Sequence, residues 1–176
     1  MHSFTELTNL FCQQFDRPQF PLEPAGLYEP ASYFLGIGGK RIRPVACLMG
    51  NELFGEIGAD AWRIASAIEL FHNFTLMHDD IMDQASLRRG QPTVHVRNGE
   101  NTAILSGDVM LVQAYSCMED ISVDYVHWIY KLFNQTAREV CEGHQYDMDY
   151  EVIETVSMEQ YIRMIQLKTS VLLAAG

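Results

Sequence analysis

The chain has 176 residues, 48% of them hydrophobic, enough for one domain with a sizeable core and too many for a disordered chain. Twelve lysines and arginines against 23 aspartates and glutamates give a formal charge of −11, which argues against nucleic acid or an anionic membrane as the main partner. No apolar run reaches the roughly 18–20 residues of a membrane span, and Met1-His2-Ser3-Phe4-Thr5-Glu6 shows no basic stretch followed by an apolar one, so neither stable membrane insertion nor a signal peptide is expected.

The pattern is helical throughout. Residues 3–15 place Phe4, Leu7, Leu10, Phe11 and Phe15 at helical spacing. Asp16-Arg17-Pro18 through Pro24 breaks the chain. A short helix is predicted over about 29–35, ended by Gly36-Ile37-Gly38-Gly39, and Pro44 suits the first turn of a helix over about 43–54. A long, largely apolar helix runs from about Ala59 to Met82, followed by a loop over 84–100 rich in turn formers. Asn101 or Thr102 could cap a helix to about 119, and Ser122 another to about 147. Ser157 with Gln160 makes a capping-box pattern for a last helix over about 158–175. No segment reads as a strand, and there is no repeat or interdomain linker. The reading is a single all-α domain over 1–176.

Cys12, Cys47, Cys117 and Cys141 are widely spaced with no C-x-x-C pair, so reduced, buried cysteines in a cytoplasmic protein are expected. His95 and His127 also lack ligand spacing and read as structural or surface residues. The cations are uneven: Lys40, Arg41, Arg43, Arg88 and Arg89 form two tight clusters. Such clusters either hold a small anion or form a solvated face with ordinary ion pairs.

Asp79-Asp80-Ile81-Met82-Asp83 carries the clearest chemistry. Asp79 and Asp83 are about 40° apart around a helix, on one face, where like charges cost about 0.2–0.5 kcal/mol. Carboxylate oxygens are hard ligands that suit magnesium, which is usually held by one or two of them plus substrate phosphates. Asp80 points about 100° away and is a weaker ligand. His72 lies about 20° from Asp79 around the wheel and roughly 10 Å before it; it is either a core histidine or part of the same site. His78 points about 100° off, second to the carboxylates at most. Arg88-Arg89-Gly90 offers guanidinium forks to phosphate oxygens. Gly38-Gly39-Lys40-Arg41-Ile42-Arg43-Pro44 is a second glycine-plus-cation segment at a helix start, where backbone N–H groups favour anions.

Together these segments, with Phe71-His72, Leu105-Ser106-Gly107-Asp108 and Lys168-Thr169, stand in an order and spacing that resembles the polyprenyl synthetases, the trans-isoprenyl diphosphate synthases. The resemblance covers essentially the whole chain but only about the first half of the family's. It implies the antiparallel all-α bundle of the isoprenoid synthases, here its first half. It implies that Lys40, Arg43, His72 and Arg89 grip isopentenyl diphosphate, that Asp79 and Asp83, with Asp80 as a weaker third, hold Mg2+, and that Arg88 contacts the allylic diphosphate. Lys168 and Thr169 match residues facing the allylic substrate near its ionising carbon, so that Asp79, Asp83 and Lys168 are the catalytic candidates. Gln145 ranks below these, and Asp108 reads as structural. The implied reaction ionises an allylic diphosphate, adds isopentenyl diphosphate and loses a proton, with released pyrophosphate as the base. A homodimer is also implied.

Phe74, five residues before Asp79, with Thr75 behind it, resembles the tunnel floor of geranylgeranyl-type enzymes, which implies a short product of about C15–C20. The wheel puts Phe74 about 140° and Phe71 about 80° from Asp79, so both also fit as core aromatics. The second aspartate-rich motif of the family is absent, and the apolar run from Lys168 to Gly176 simply stops. The chain is therefore expected to be a fragment, with little or no turnover by itself. Two alternatives stand beside the synthase: a non-catalytic subunit of a heteromeric synthase, and an HD-type metal phosphohydrolase built on His78-Asp79.

Overall fold

The computed structural model describes Met1–Gly176 and divides into two compact units, Met1–Asp120 and Ile121–Gly176. In the first unit α1 (Phe4–Phe15) begins in a capping box: Ser3 Oγ accepts from the Glu6 N–H while the Glu6 side chain accepts from the Ser3 N–H. Its buried residues Leu7, Phe11 and Phe15 recur every four residues, and the Phe11 and Phe15 rings stack at 5.0 Å. The expected Phe4 and Leu10 instead face outward.

Helix α2 (Ala25–Gly36) starts four residues before the predicted start. The Glu23 carboxylate accepts from the Ala25 N–H at 3.1 Å, and Pro30 sits inside the helix, where its missing N–H removes one helical bond. After α3 (Ile42–Glu52), α4 (Ala59–Met82) has the predicted bounds and runs about 36 Å. It packs most extensively on α6 (Glu100–Ser116) and next on α3. Small residues are buried on both helices, Ala61, Ala65 and Ala67 on α4 and Ala103, Ser106, Gly107 and Ala114 on α6, and Gly107 lies directly against His78 of α4.

The segment 84–100 is not all loop. Leu87–Arg88 (β1) and Gln91–Pro92 (β2) pair antiparallel, Leu87 with Pro92 and Arg88 with Gln91. The two turn residues, Arg89 and Gly90, have φ of 50° and 78°, the positive pair that a tight hairpin turn requires. Two-residue strands leave no alternation to read, which is why the sequence shows no strand. A short helix α5 (Val94–Asn98) follows. Gly99, at φ 90°, then both ends α5 and opens α6, so the cap is a glycine two residues before Asn101 and three before Thr102.

In the second unit α7 (Val126–Glu151) begins four residues after Ser122, whose carbonyl accepts from the Tyr125 and Val126 N–H groups in a preceding turn. The predicted capping box of Ser157 and Gln160 is present at the start of α8 (Met158–Ile165). The last helix is not continuous: Gln166–Ser170 forms a π turn before α9 (Val171–Ala174). No helix is long and apolar enough to cross a membrane.

Candidate active site

Gly38, Gly39, Lys40 and Arg41 join α2 to α3, with Arg41 in the left-handed region at φ 51°. The Arg41 side chain is buried. It forms an ion pair with Glu69 of α4, donates to the Leu35 carbonyl at 3.3 Å, and lies over the Phe15 ring at 5.3 Å. Glu69, itself buried, also accepts from Asn73 Nδ2 at 3.1 Å. With Arg41 turned inward, Lys40 and Arg43 line a pocket of about 460 Å³ together with Glu69, His72 and Arg89. The hairpin turn delivers Arg89 to Gly39: a Cβ on Gly39 would lie 2.7 Å from Arg89 Nη1. The absence of a side chain at Gly39 is therefore what lets the guanidinium close one side of the pocket.

Arg43 donates to His72 Nε2 at 3.1 Å. Burial pushes the His72 ring down to about 3, helped by the charges of Arg43, Arg89, Arg88 and Arg41, so the ring is neutral near pH 7. Burial also lowers Arg43, opposed by Glu69, and lowers Arg89, with Arg88 and Arg41 adding to the effect. Arg43 Nε is buried with no hydrogen-bond partner, an unsatisfied donor in the wall of a cationic pocket. The arrangement suits a polyanion with many acceptor oxygens, which offsets the mutual repulsion of the cations and satisfies their donors.

Asp79 and Asp83 stand one turn apart at the C-terminal end of α4, Asp79 half-buried and Asp83 exposed. Both hold Arg88 above its ordinary value, after the larger effect of Asp80. Asp80 has a different place from the one given it among the metal ligands. It is buried, and its carboxylate takes three hydrogen bonds from Arg88, at 2.7, 2.8 and 2.9 Å. A carboxylate so engaged serves Arg88. No group of three or more His, Cys, Asp or Glu side chains converges as a metal cluster. Two carboxylates at a helix C-terminus still fit magnesium, which takes few protein ligands and draws the rest from substrate phosphates.

The His78 ring is turned to α6, with Nε2 3.1 Å from the Ile104 carbonyl and 3.6 Å from Asp108 Oδ1. A Cβ on Gly107 would come within 2.4 Å of it. Phe74 meets His78 edge-on at 4.7 Å and Phe71 at 5.7 Å. Histidine, phenylalanine and glycine thus form one packed wall.

In the second unit Lys168 and Thr169 sit in the π turn, a distortion often found at functional sites. Lys168 Nζ pairs with Asp147 at 2.5 Å. A Cβ on Gly143 would lie 2.2 Å from the Lys168 backbone nitrogen, so α7 and the π turn cross in backbone contact. Gln145 donates to Asp149 at 2.7 Å.

Sequence reasoning counted Arg41 among the clustered cations without seeing its buried partner, and it gave no role to Glu69, Asn73 or Asp147. One signal was available for Glu69: it is an acid within the apolar run Ala67-Ile68-Glu69-Leu70-Phe71, and a buried carboxylate requires a partner. Asp147 carried no comparable signal.

The first unit thus sets a cation-lined pocket beside α4 and a carboxylate pair at the end of the same helix. This chain belongs to the polyprenyl synthetase family, whose family model matches residues 24–176. It is 40% identical to a geranylgeranyl diphosphate synthase of Methanosarcina mazei over 155 residues, which is 87% of this chain and 48% of that protein. Among solved structures, a geranylgeranyl pyrophosphate synthase superposes with TM-score 0.95 at 48% identity, covering 99% of this chain and 54% of the other. The geranylgeranyl pyrophosphate synthetase of Geoglobus acetivorans superposes with TM-score 0.91 at 37% identity, covering 96% and 56%. The fold is the all-α fold of these synthases, and the chain spans about half the length of the curated relatives it matches.

Proposed function

We propose that this chain is part of a trans-prenyltransferase that condenses isopentenyl diphosphate with an allylic diphosphate to give a short prenyl diphosphate of about C15–C20. The observation that carries this reading is the single pocket lined by Lys40, Arg43, His72 and Arg89, on the same unit as the Asp79 and Asp83 pair. The names of its relatives, geranylgeranyl diphosphate synthases, support the product class. Neither the non-catalytic subunit nor the phosphohydrolase gains support from them.

In this reading the pocket cations hold the diphosphate of isopentenyl diphosphate, and neutral His72 adds an Nδ1–H donor. Asp79 and Asp83 hold Mg2+, and Asp80 holds Arg88 ready for the allylic diphosphate. When bound, magnesium neutralises the leaving group and lowers the barrier to breaking its carbon–oxygen bond. Lys168 and Thr169 face the allylic substrate, and apolar helix faces exclude water. The double bond of isopentenyl diphosphate then attacks the allylic carbon, and the departed pyrophosphate takes the proton. The family model runs unbroken across the boundary between the two units, which supports one domain for both. The four free cysteines suit a reducing cytoplasm, and a homodimer fits the family.

The test is to incubate the full-length protein with labelled isopentenyl diphosphate, allylic primers of increasing length and magnesium. Elongated prenyl diphosphates of about C15–C20 are expected. No elongated product with any primer would overturn the reading.

A further inference from the structure

We propose that Glu69 is a positioning residue for diphosphate binding, acting through Arg41 and Asn73 to hold the α2–α3 segment in its binding shape. The proposal rests on the reading of the cation pocket as a diphosphate site. Two rungs tie the start of α3 to α4. Arg43 meets His72 at 3.1 Å, and Arg41 meets Glu69 in a buried ion pair. Arg41 stands between Lys40 and Arg43 in the chain, in a left-handed conformation that a non-glycine residue keeps only where its surroundings enforce it. What surrounds it is Glu69, the Leu35 carbonyl and the Phe15 ring. Glu69 is in turn set by Asn73, one turn further along α4.

Charge alone gives Glu69 the opposite role. It is an acid in the lining of a cationic pocket and opposes the lowering of Arg43 and Arg89. On Coulomb's law its removal makes the pocket more positive and tightens an anion. As the support of Arg41, its removal frees the segment carrying Lys40 and Arg43 and weakens the anion. The two roles predict opposite signs.

The experiment titrates the full-length protein with inorganic pyrophosphate in a calorimeter, alongside steady-state kinetics with isopentenyl diphosphate and thermal melts. Glu69→Gln should weaken pyrophosphate about tenfold or more, and raise KM for isopentenyl diphosphate more than it lowers kcat. Unchanged or tighter binding in a folded Glu69→Gln protein overturns the proposal. A double variant, Arg41→Met with Glu69→Met, removes both charges together, and such apolar replacements of a buried pair commonly fold well. It leaves the net charge of the pocket as it was, so weakened pyrophosphate binding there supports positioning, and wild-type affinity overturns it. Should neither protein fold, Asn73→Ala decides, since it keeps both charges: about a twofold to fivefold weakening is expected, and no change overturns the proposal. Failure of the wild-type protein to bind pyrophosphate at all would instead sink the diphosphate reading of the pocket.

Discussion

Arg43 donates to Nε2 of His72 across 3.1 Å. A guanidinium has no acceptor, so this ring nitrogen carries no proton and the neutral ring keeps its hydrogen on Nδ1. With the folded value pushed down to about 3 from the ordinary 6.5, the unfolded chain binds a proton in that interval that the folded chain does not. Stability contributed by neutral His72 is therefore complete above the ordinary value and is lost as pH falls toward 3. Nitrogen-15 NMR at about pH 5 should show His72 still neutral, as the Nδ1–H tautomer. The acid-side fall in melting temperature should be shallower in His72→Gln. A ring that titrates near its ordinary value would contradict the packing described.

The three aspartates of Asp79-Asp80-Ile81-Met82-Asp83 should separate cleanly on mutation. Asp80→Asn breaks a buried, multiply bonded pair with Arg88 and should cost about 3 kcal/mol in chemical denaturation. Asp79→Asn and Asp83→Asn should leave stability within about 0.5 kcal/mol, yet lower prenyltransferase activity of the full-length protein by about a hundredfold or more. Equal stability losses at all three positions would remove the distinction between them.

Gly143→Ala tests the crossing of α7 and the π turn. By helix propensity the change should stabilise by about 1 kcal/mol. The added Cβ, however, would stand 2.2 Å from the Lys168 nitrogen and 2.6 Å from its Cα, and overpacking against backbone costs about 1–3 kcal/mol. The steric cost wins, so the melting temperature should fall, and activity should fall with it as Lys168 is displaced. A more stable Gly143→Ala protein would show that the crossing relaxes freely.

Phe74→Ala should lengthen the product, measured by chromatography of labelled prenyl chains. Phe74 is braced by His78, whose ring fits against α6 only because Gly107 carries no side chain. Gly107→Ala should therefore disturb the same wall and shift the product distribution. An unchanged profile in Phe74→Ala would remove Phe74 as the floor.

Much of this was legible because it is local. The bounds of α4, the capping box of Ser157 and the spacing of Asp79 to Asp83 follow from helical periodicity and hydrogen-bond donors within a few residues. The gathering of Lys40, Arg43, His72 and Arg89 into one pocket was reached through the resemblance, since no periodicity relates residue 40 to residue 89. The Arg41–Glu69 pair escaped because its members are 28 positions apart and Arg41 resembles its exposed neighbours in sequence. The hairpin escaped because two-residue strands carry no pattern, and the π turn because the five-residue step from buried Leu167 to buried Leu172 is hidden in the apolar run Val171-Leu172-Leu173.

Glu69, His72, Asn73 and Asp79 all ride on one uninterrupted helix, and Asp83 caps its end. That helix acts as a ruler. Each residue fixes both a height and a bearing, about 1.5 Å and 100°. One residue inserted between His72 and Asp79 would swing the carboxylates by more than a quarter of a turn from the pocket's line, with every side chain still present. In this segment the length of the chain between the functional groups is under tighter constraint than the residues that fill it.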